Sequence, residues 1–228
     1  MAENKHVVIL GGHGKVALLA APKFKQAGYT VDALIRNPDH SLAVEQAGAN
    51  AVELDIEAAT AEQMADAFKG ADAVVFSAGA GGGNPVRTHA VDYEAAIRSM
   101  DAAERAGVQR YVMVSYASSE VDVERVEAGN KFYPYAKAKH DADAHLESTG
   151  LDHTILGPGM LTLEPASGRI RVAERGGLID GRAPRDKEGE TSRDNVAEVI
   201  VHAVVNNAGV RRRINFYDGD TPIADAIG

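Results

Sequence analysis

The chain has 228 residues, 45% of them hydrophobic, enough for one sizeable core or one core with a small lobe. Its 33 Asp and Glu outnumber 24 Lys and Arg, and the formal charge of −9 argues against nucleic acid or an anionic membrane as its partner. With no Cys there is no disulfide, no iron–sulfur ligation and no thiolate nucleophile, which fits a reducing, cytoplasmic setting.

Residues 6–10 are a short β-rich run followed at once by Gly11-Gly12-His13-Gly14. Residues 15–27 read as a helix with Ala17, Leu18, Ala21 and Phe24 near one face, ended by Gly28. Residues 29–35 are the second strand, 41–46 a short helix and 49–54 the third strand. Residues 60–68 are helical, with Glu62 in the first turn where a carboxylate is favoured, and 71–76 are a strand of buried type. A helix over 91–106 stops at Gly107, 111–115 is the fifth strand, 135–148 a helix and 151–156 the sixth strand. A helix over 194–206, a late strand at 214–217 and a short helix after Pro222 complete the chain.

Strands that alternate with helices build a parallel sheet covered on both faces. The expected fold is therefore α/β, a Rossmann-like doubly wound parallel sheet. A (β/α)8 barrel needs eight regular units, and the stretch 157–193, rich in Gly and Pro, contains no clear one. That stretch is expected as a small C-terminal substrate-side lobe within one domain spanning 1–228. No apolar run approaches the roughly 20 residues of a membrane helix. A polar lead and a strand within the first ten residues speak against a cleaved signal peptide.

The spacing Gly11-x-x-Gly14-x-x-Ala17 puts small residues where a dinucleotide meets the first helix. Gly11 permits the turn, Gly14 lets backbone approach pyrophosphate, and Ala17 lets the helix pack close to the sheet. Gly12, His13, Lys15 and Val16 complete the cradle, with His13 facing phosphate or solvent. A nucleotide-triphosphate loop does not fit, because position 9 is not glycine and position 16 is neither Ser nor Thr.

The end of the second strand selects the cofactor. Arg36 stands there, just before Asn37-Pro38, and would pair with the 2′-phosphate of NADP; NAD is not excluded. Asp32, at about the spacing of a ribose-binding acid, is mid-strand if 29–35 is regular. Asp55 after strand three either holds the adenine edge or caps the following turn. Ser77, Ala78 and Gly79 follow strand four, where a dinucleotide would cross, and residues 79–83 either give close backbone passage or form a lid. The eight His show no zinc spacing, so no metal site is expected.

Tyr135 and Lys139 are four apart and share a helix face. Lys139 would hold the nicotinamide ribose and favour the phenolate, while Tyr135 gives or takes the substrate proton. Tyr133 and Lys137 have the same spacing, but a helix starting after Pro134 leaves Tyr133 outside it. Ser115, Ser118 and Ser119 follow strand five, and Ser118 is the choice for holding a carbonyl oxygen.

The glycine turn, Arg36, Ser77-Ala78-Gly79 and the Tyr135–Lys139 pair together resemble the atypical short-chain dehydrogenase/reductase family. Residues 135–159 (YAKAKHDADAHLESTGLDHTILGPG) and 191–197 (TSRDNVA) add to the likeness. It is nearest the small NAD(P)-binding, NmrA-like and flavin-reductase-like members. The resemblance implies a bound nicotinamide dinucleotide with a substrate pocket above it. It matches Tyr135 and Lys139 to the Tyr-x-x-x-Lys pair of active relatives, and Gly11, Gly14 and Arg36 to cofactor positions. The chain departs from the pattern at Ala17, at His13, at Gly157 where many relatives carry Arg, and at Tyr116 where a second Ser is common. The expected function is NADP-dependent hydride transfer to a small or planar acceptor: a carbonyl, quinone or flavin. The alternatives are a regulator that senses the cofactor without turnover and a sugar-nucleotide epimerase or isomerase.

Overall fold

The computed structural model describes residues 5–81 and 83–228; the polar lead at 1–4 and Gly82 lie outside the described residues. The first half of the chain alternates strand and helix: β1 (Lys5–Leu10), α1 (Lys15–Gln26), β2 (Tyr29–Ile35), α2 (Ser41–Gln46), β3 (Asn50–Glu53), α3 (Ala61–Phe68) and β4 (Ala73–Phe76). A long helical run follows, made of α4 (Pro85–Thr88), a π segment (His89–Ala95) and α5 (Ala96–Ala106). Then come β5 (Arg110–Val114), the short α6 (Asp122–Arg125), α7 (Tyr133–Ser148), β6 (Asp152–Pro158), β7 (Met160–Thr162), β8 (Arg169–Ala173) and β9 (Glu190–Ser192). The chain closes with α8 (Arg193–Val205), β10 (Arg212–Asp218), β11 (Thr221–Pro222) and α9 (Ile223–Ala226).

The main sheet has the order β11-β8-β10-β6-β5-β4-β1-β2-β3. From β3 to β10 every pairing is parallel, and β8 and β11 add antiparallel pairings at one edge. Helices cover both faces, as a parallel sheet requires. Phe24, Val31, Val199 and Phe216 belong to the core under α1 and α8. Met64, Phe68, Met100, Tyr111 and Leu146 belong to the core under α3, α5 and α7. All four residues of β4 are buried, which explains why it reads as an unbroken apolar run.

Local signals set the ends of elements. Thr60 and Gln63 cap α3 reciprocally, Gln63 N–H donating to Thr60 Oγ1 at 3.2 Å and Thr60 N–H to Gln63 Oε1 at 2.9 Å. Gly107 closes α5 at φ +77°, a conformation that favours glycine.

The structure departs from the sequence expectations in three places. The helix expected at 91–106 begins earlier, because Asn84 Oδ1 accepts the N–H groups of Val86 and Arg87 and Pro85 takes the first helical position. The helix α7 begins at Tyr133, not after Pro134, since a proline is tolerated in a first turn. The stretch 157–193, expected as a Gly- and Pro-rich lobe with no clear strand–helix unit, supplies three strands. Strand β8 joins the main sheet beside β10, and β7 pairs in parallel with β9. Of β8 only Ile170 is buried, so its sequence carries no apolar run to announce it.

Strand order reverses between β1 and β4, with β2 and β3 lying outward of one and β5 and β6 outward of the other. The carboxyl ends of β1 and β4 therefore flank a crevice of the kind where open α/β sheets hold ligands.

Candidate functional site

The loop after β1 is built too tightly for side chains. Gly12 N–H donates to Leu34 O at 2.9 Å and Gly14 N–H to Gly11 O at 2.7 Å. A Cβ on Gly12 would stand 2.6 Å from Ala33 Cβ. One on Gly11, at φ +80°, would meet the Ala78 backbone at 2.7 Å. Gly14 is the N-cap of α1 and offers no side-chain acceptor, so the first-turn amides stay available to an anion.

Two cavities open over this loop. One, of about 310 Å³, is lined by Gly11, Gly12, His13, Arg36, His40, Asp55 and Glu57 among others. The other, of about 600 Å³, is lined by Lys15, Val16, Asp92, Ser115, Tyr135 and Lys139 among others. Gly14, Ser77, Ala78 and Gly79 line both. The two spaces thus meet over the bare helix end and the glycine cradle. That arrangement fits a dinucleotide whose diphosphate lies between two nucleoside halves.

Arg36 stands exposed just past β2, at the smaller cavity. It does not stand alone: its Nη1 lies 3.4 Å from Glu57 Oε2, and the same oxygen is 3.3 Å from Arg87 Nε. Arg87 Nη1 also donates to Ala80 O at 3.0 Å. Asp55 Oδ1 accepts Glu57 N–H at 3.1 Å, closing the turn, while the residue lines the cavity as well. Arg98 of α5 holds this loop from below, donating to the carbonyls of Ile56, Glu57 and Ala59. Asp32 is mid-strand in a regular β2, 3.0 Å from His6 Nε2 and accepting Asn50 Nδ2 at 2.8 Å. It does not line the cavity.

In the larger cavity Lys139 is buried, its Nζ donating to Val114 O at 2.7 Å and lying 5.8 Å from the centre of the Phe76 ring. Burial pushes the Tyr135 phenol up, and the Asp92 and Asp143 carboxylates push it further. These surroundings hold Tyr135 as the neutral phenol, against the expectation of a phenolate favoured by Lys139. Tyr116, Phe132 and Tyr135 form an aromatic group with ring centres 5.4 to 5.7 Å apart. Lys137 points away, paired with Asp141 at 2.6 Å.

The structure places Ser118 outside this cavity, its hydroxyl donating to Asp122 Oδ2 at 2.8 Å. Ser115 does line it, but Ser115 Oγ donates to Asp143 Oδ2 at 2.6 Å, as Ser119 Oγ does at 2.8 Å. Their protons are thereby committed to a buried carboxylate.

Sequence reasoning missed Asp92, Glu57, Arg87, His40, Phe132 and Arg193. Asp92 is 2% exposed in the π segment and its Oδ2 accepts Ala80 N–H at 3.1 Å. Burial raises its carboxyl, with Lys139, the Ala80 amide and Arg87 opposing. Its inward aim comes from the widened turn, which leaves no mark in residue spacing. Arg193 Nη1 donates to the carbonyls of Leu161 and Thr162, and the residue lines the larger cavity. Among the described residues no group of three or more His, Asp or Glu could hold a metal ion, and no helix is long and apolar enough to cross a membrane.

A family model described as NAD(P)H-binding matches residues 11–207. The uncharacterized sugar epimerase YhfK of Bacillus subtilis is 33% identical, covering 97% of this chain and 98% of its own. A solved structure from Bacillus halodurans, provisionally named an NAD-dependent epimerase/dehydratase, superposes with a TM-score of 0.83 at 30% identity, covering 97% of each chain. The oxidoreductase ylbE from Lactococcus lactis gives a TM-score of 0.80 at 29% identity, covering 97% of this chain and 94% of its own.

Proposed function

The chain belongs to the NAD(P)H-binding family, and from that premise we propose that it is an NADP-dependent oxidoreductase acting on a small or planar acceptor. The observation that carries the reading is the shared wall of Gly14, Ser77, Ala78 and Gly79, which joins an Arg36-lined cavity to one holding Tyr135 and Lys139. The bound dinucleotide supplies hydride. The residues around it have separable tasks. The α1 amides and Lys15 hold the diphosphate, and Arg36 takes the 2′-phosphate. Lys139 hydrogen-bonds the nicotinamide ribose, and Tyr135, kept protonated by burial, donates to the oxygen of a carbonyl acceptor.

The aromatic group supports a planar acceptor of the quinone or flavin kind. Phe132 is 40% exposed beside the cavity, a large apolar face left in water. Lys131 and Arg193 line the same space and, among the described residues, make no ion pair with a carboxylate, in a chain of net charge −9. An acceptor bearing a carboxylate or phosphate would satisfy them.

The test is an NADPH oxidation screen with the intact chain against carbonyls, quinones and flavins. Turnover with one class supports the reading, and tight NADP binding with no turnover supports a cofactor-sensing regulator instead. The names of YhfK and the Bacillus halodurans protein favour a second reading, a sugar epimerase. That enzyme would form product with no net oxidation of NADPH.

A further inference from the structure

His13, at the tip of the glycine turn, lies flat against His40. Their ring centres are 3.6 Å apart and the planes meet at 14°. Neither position is an accident of a mobile side chain. His13 is carried between Gly12, tied to Leu34 O, and Gly14, tied to Gly11 O. His40 ends the 3-10 turn Pro38–His40, started by Asn37 Oδ1 accepting Asp39 N–H at 3.0 Å. Both imidazoles line the smaller cavity beside Arg36.

Resting on the dinucleotide reading, we propose that His13 and His40 form one proton-holding unit for the 2′-phosphate, so that NADP, and not NAD, binds together with a proton. Two stacked imidazoles carry one positive charge readily and two with difficulty, because like charges that close repel. In the free protein, burial and the charge of His40 hold His13 below its ordinary value. A phosphate dianion beside the pair reverses that balance and draws a proton onto it.

The other charged groups facing the pair do not supply this proton. Arg36 at the end of β2 and Arg87 on α4 share the Glu57 carboxylate. Asp55 and Glu57 after β3 and Asp39 in the His40 turn are the carboxylates on the elements around the pair. The phosphate itself has a second pKa near 6. Arg36 would lower it, so the phosphate can only release protons, a change of opposite sign.

The experiment is calorimetric titration of the intact protein with NADP and with NAD at pH 7.5, in phosphate-free buffers of unlike ionisation enthalpy. Uptake of up to about one proton per NADP, and none per NAD, is the expected result. NADP affinity should then fall by at most about tenfold per pH unit as pH rises through the window, with NAD affinity flat. His13→Gln and His40→Gln should each remove most of the uptake while leaving NAD binding measurable. Equal proton counts for the two nucleotides, or undiminished uptake in His13→Gln, would overturn the inference while leaving the dinucleotide site standing. A folded protein that binds neither nucleotide would remove that site and the inference together.

Discussion

Arg213 Nη1 lies 2.9 Å from Asp143 Oδ2, joining β10 to the helix that carries Tyr135 and Lys139. Asp143 is fully buried, and the same oxygen accepts the hydroxyls of Ser115 and Ser119. Breaking such a pair leaves an uncompensated charge, so Arg213→Met should cost about 3–5 kcal/mol of stability. Chemical denaturation would measure it; a change under 1 kcal/mol would contradict the role given to the pair. Dinucleotide binding by the fraction that remains folded should persist.

Tyr135→Phe removes the phenol and leaves the ring. If the acceptor is a carbonyl, turnover should fall by about 10²-fold or more with NADP affinity unchanged. If it is a flavin or quinone, where hydride placement dominates, turnover should stay nearly intact. Steady-state rates and a binding titration on one preparation separate the two.

The phenol also sets a pH expectation. Its working form as an acid is protonated, and burial with two nearby carboxylates raises its pKa, so deprotonation is displaced upward. A carbonyl-reduction rate should therefore show no loss from Tyr135 between pH 7 and pH 9, roughly. A rate limb falling in that range, absent in Tyr135→Phe, would place the phenol in a more polar setting than the structure gives it.

Gly12→Ala puts a methyl 2.6 Å from Ala33 Cβ, against a strand paired on both sides with little room to retreat. The expected cost is about 1–3 kcal/mol, together with loss of dinucleotide affinity. Gly28→Ala has open space around its Cβ and a φ of +85°, so it should be strained at the backbone and bind normally. Thermal melts and titrations of both variants check the contrast.

Asp92→Ala takes the acceptor from the Ala80 amide and frees the segment next to Gly79, which lines both cavities. Dinucleotide affinity should weaken by about 10-fold or more, the scale of one lost charge-assisted bond. Asp92→Asn, which keeps an acceptor oxygen, should recover most of it. Equal losses in the two variants would show that the charge, not the hydrogen bond, is what counts.

Much of this architecture is legible in residue order. The glycine turn between a β run and an amphipathic helix, Arg36 at a strand end and Gly107 after a helix are local signals with local causes. What escaped depends on contacts between distant segments. Glu57 meets Arg36 only because β2 and β3 run parallel with their carboxyl ends together. Ser118 and Ser115 are indistinguishable as loop serines until Asp122 and Asp143 are seen to claim their hydroxyls. Tyr133 entered the helix because Pro134 is compatible with a first turn, a choice that composition alone does not make.

The π segment at His89–Ala95 divides its helix into halves with different obligations. The stretch Ala96–Ala106 is committed to α3 and the interior, whereas Pro85–Thr88 brings Arg87 to the rim of the smaller cavity. A helix with one extra residue wound into it is one deletion away from regularity. That deletion would swing the outer half by about 100° around the axis. Arg87 and Asp92 would leave their stations, and the outer half would lose its packing against α7, while the packing of α3 on α5 stayed whole; ligand recognition would be lost, or rewritten, with that half of the helix alone.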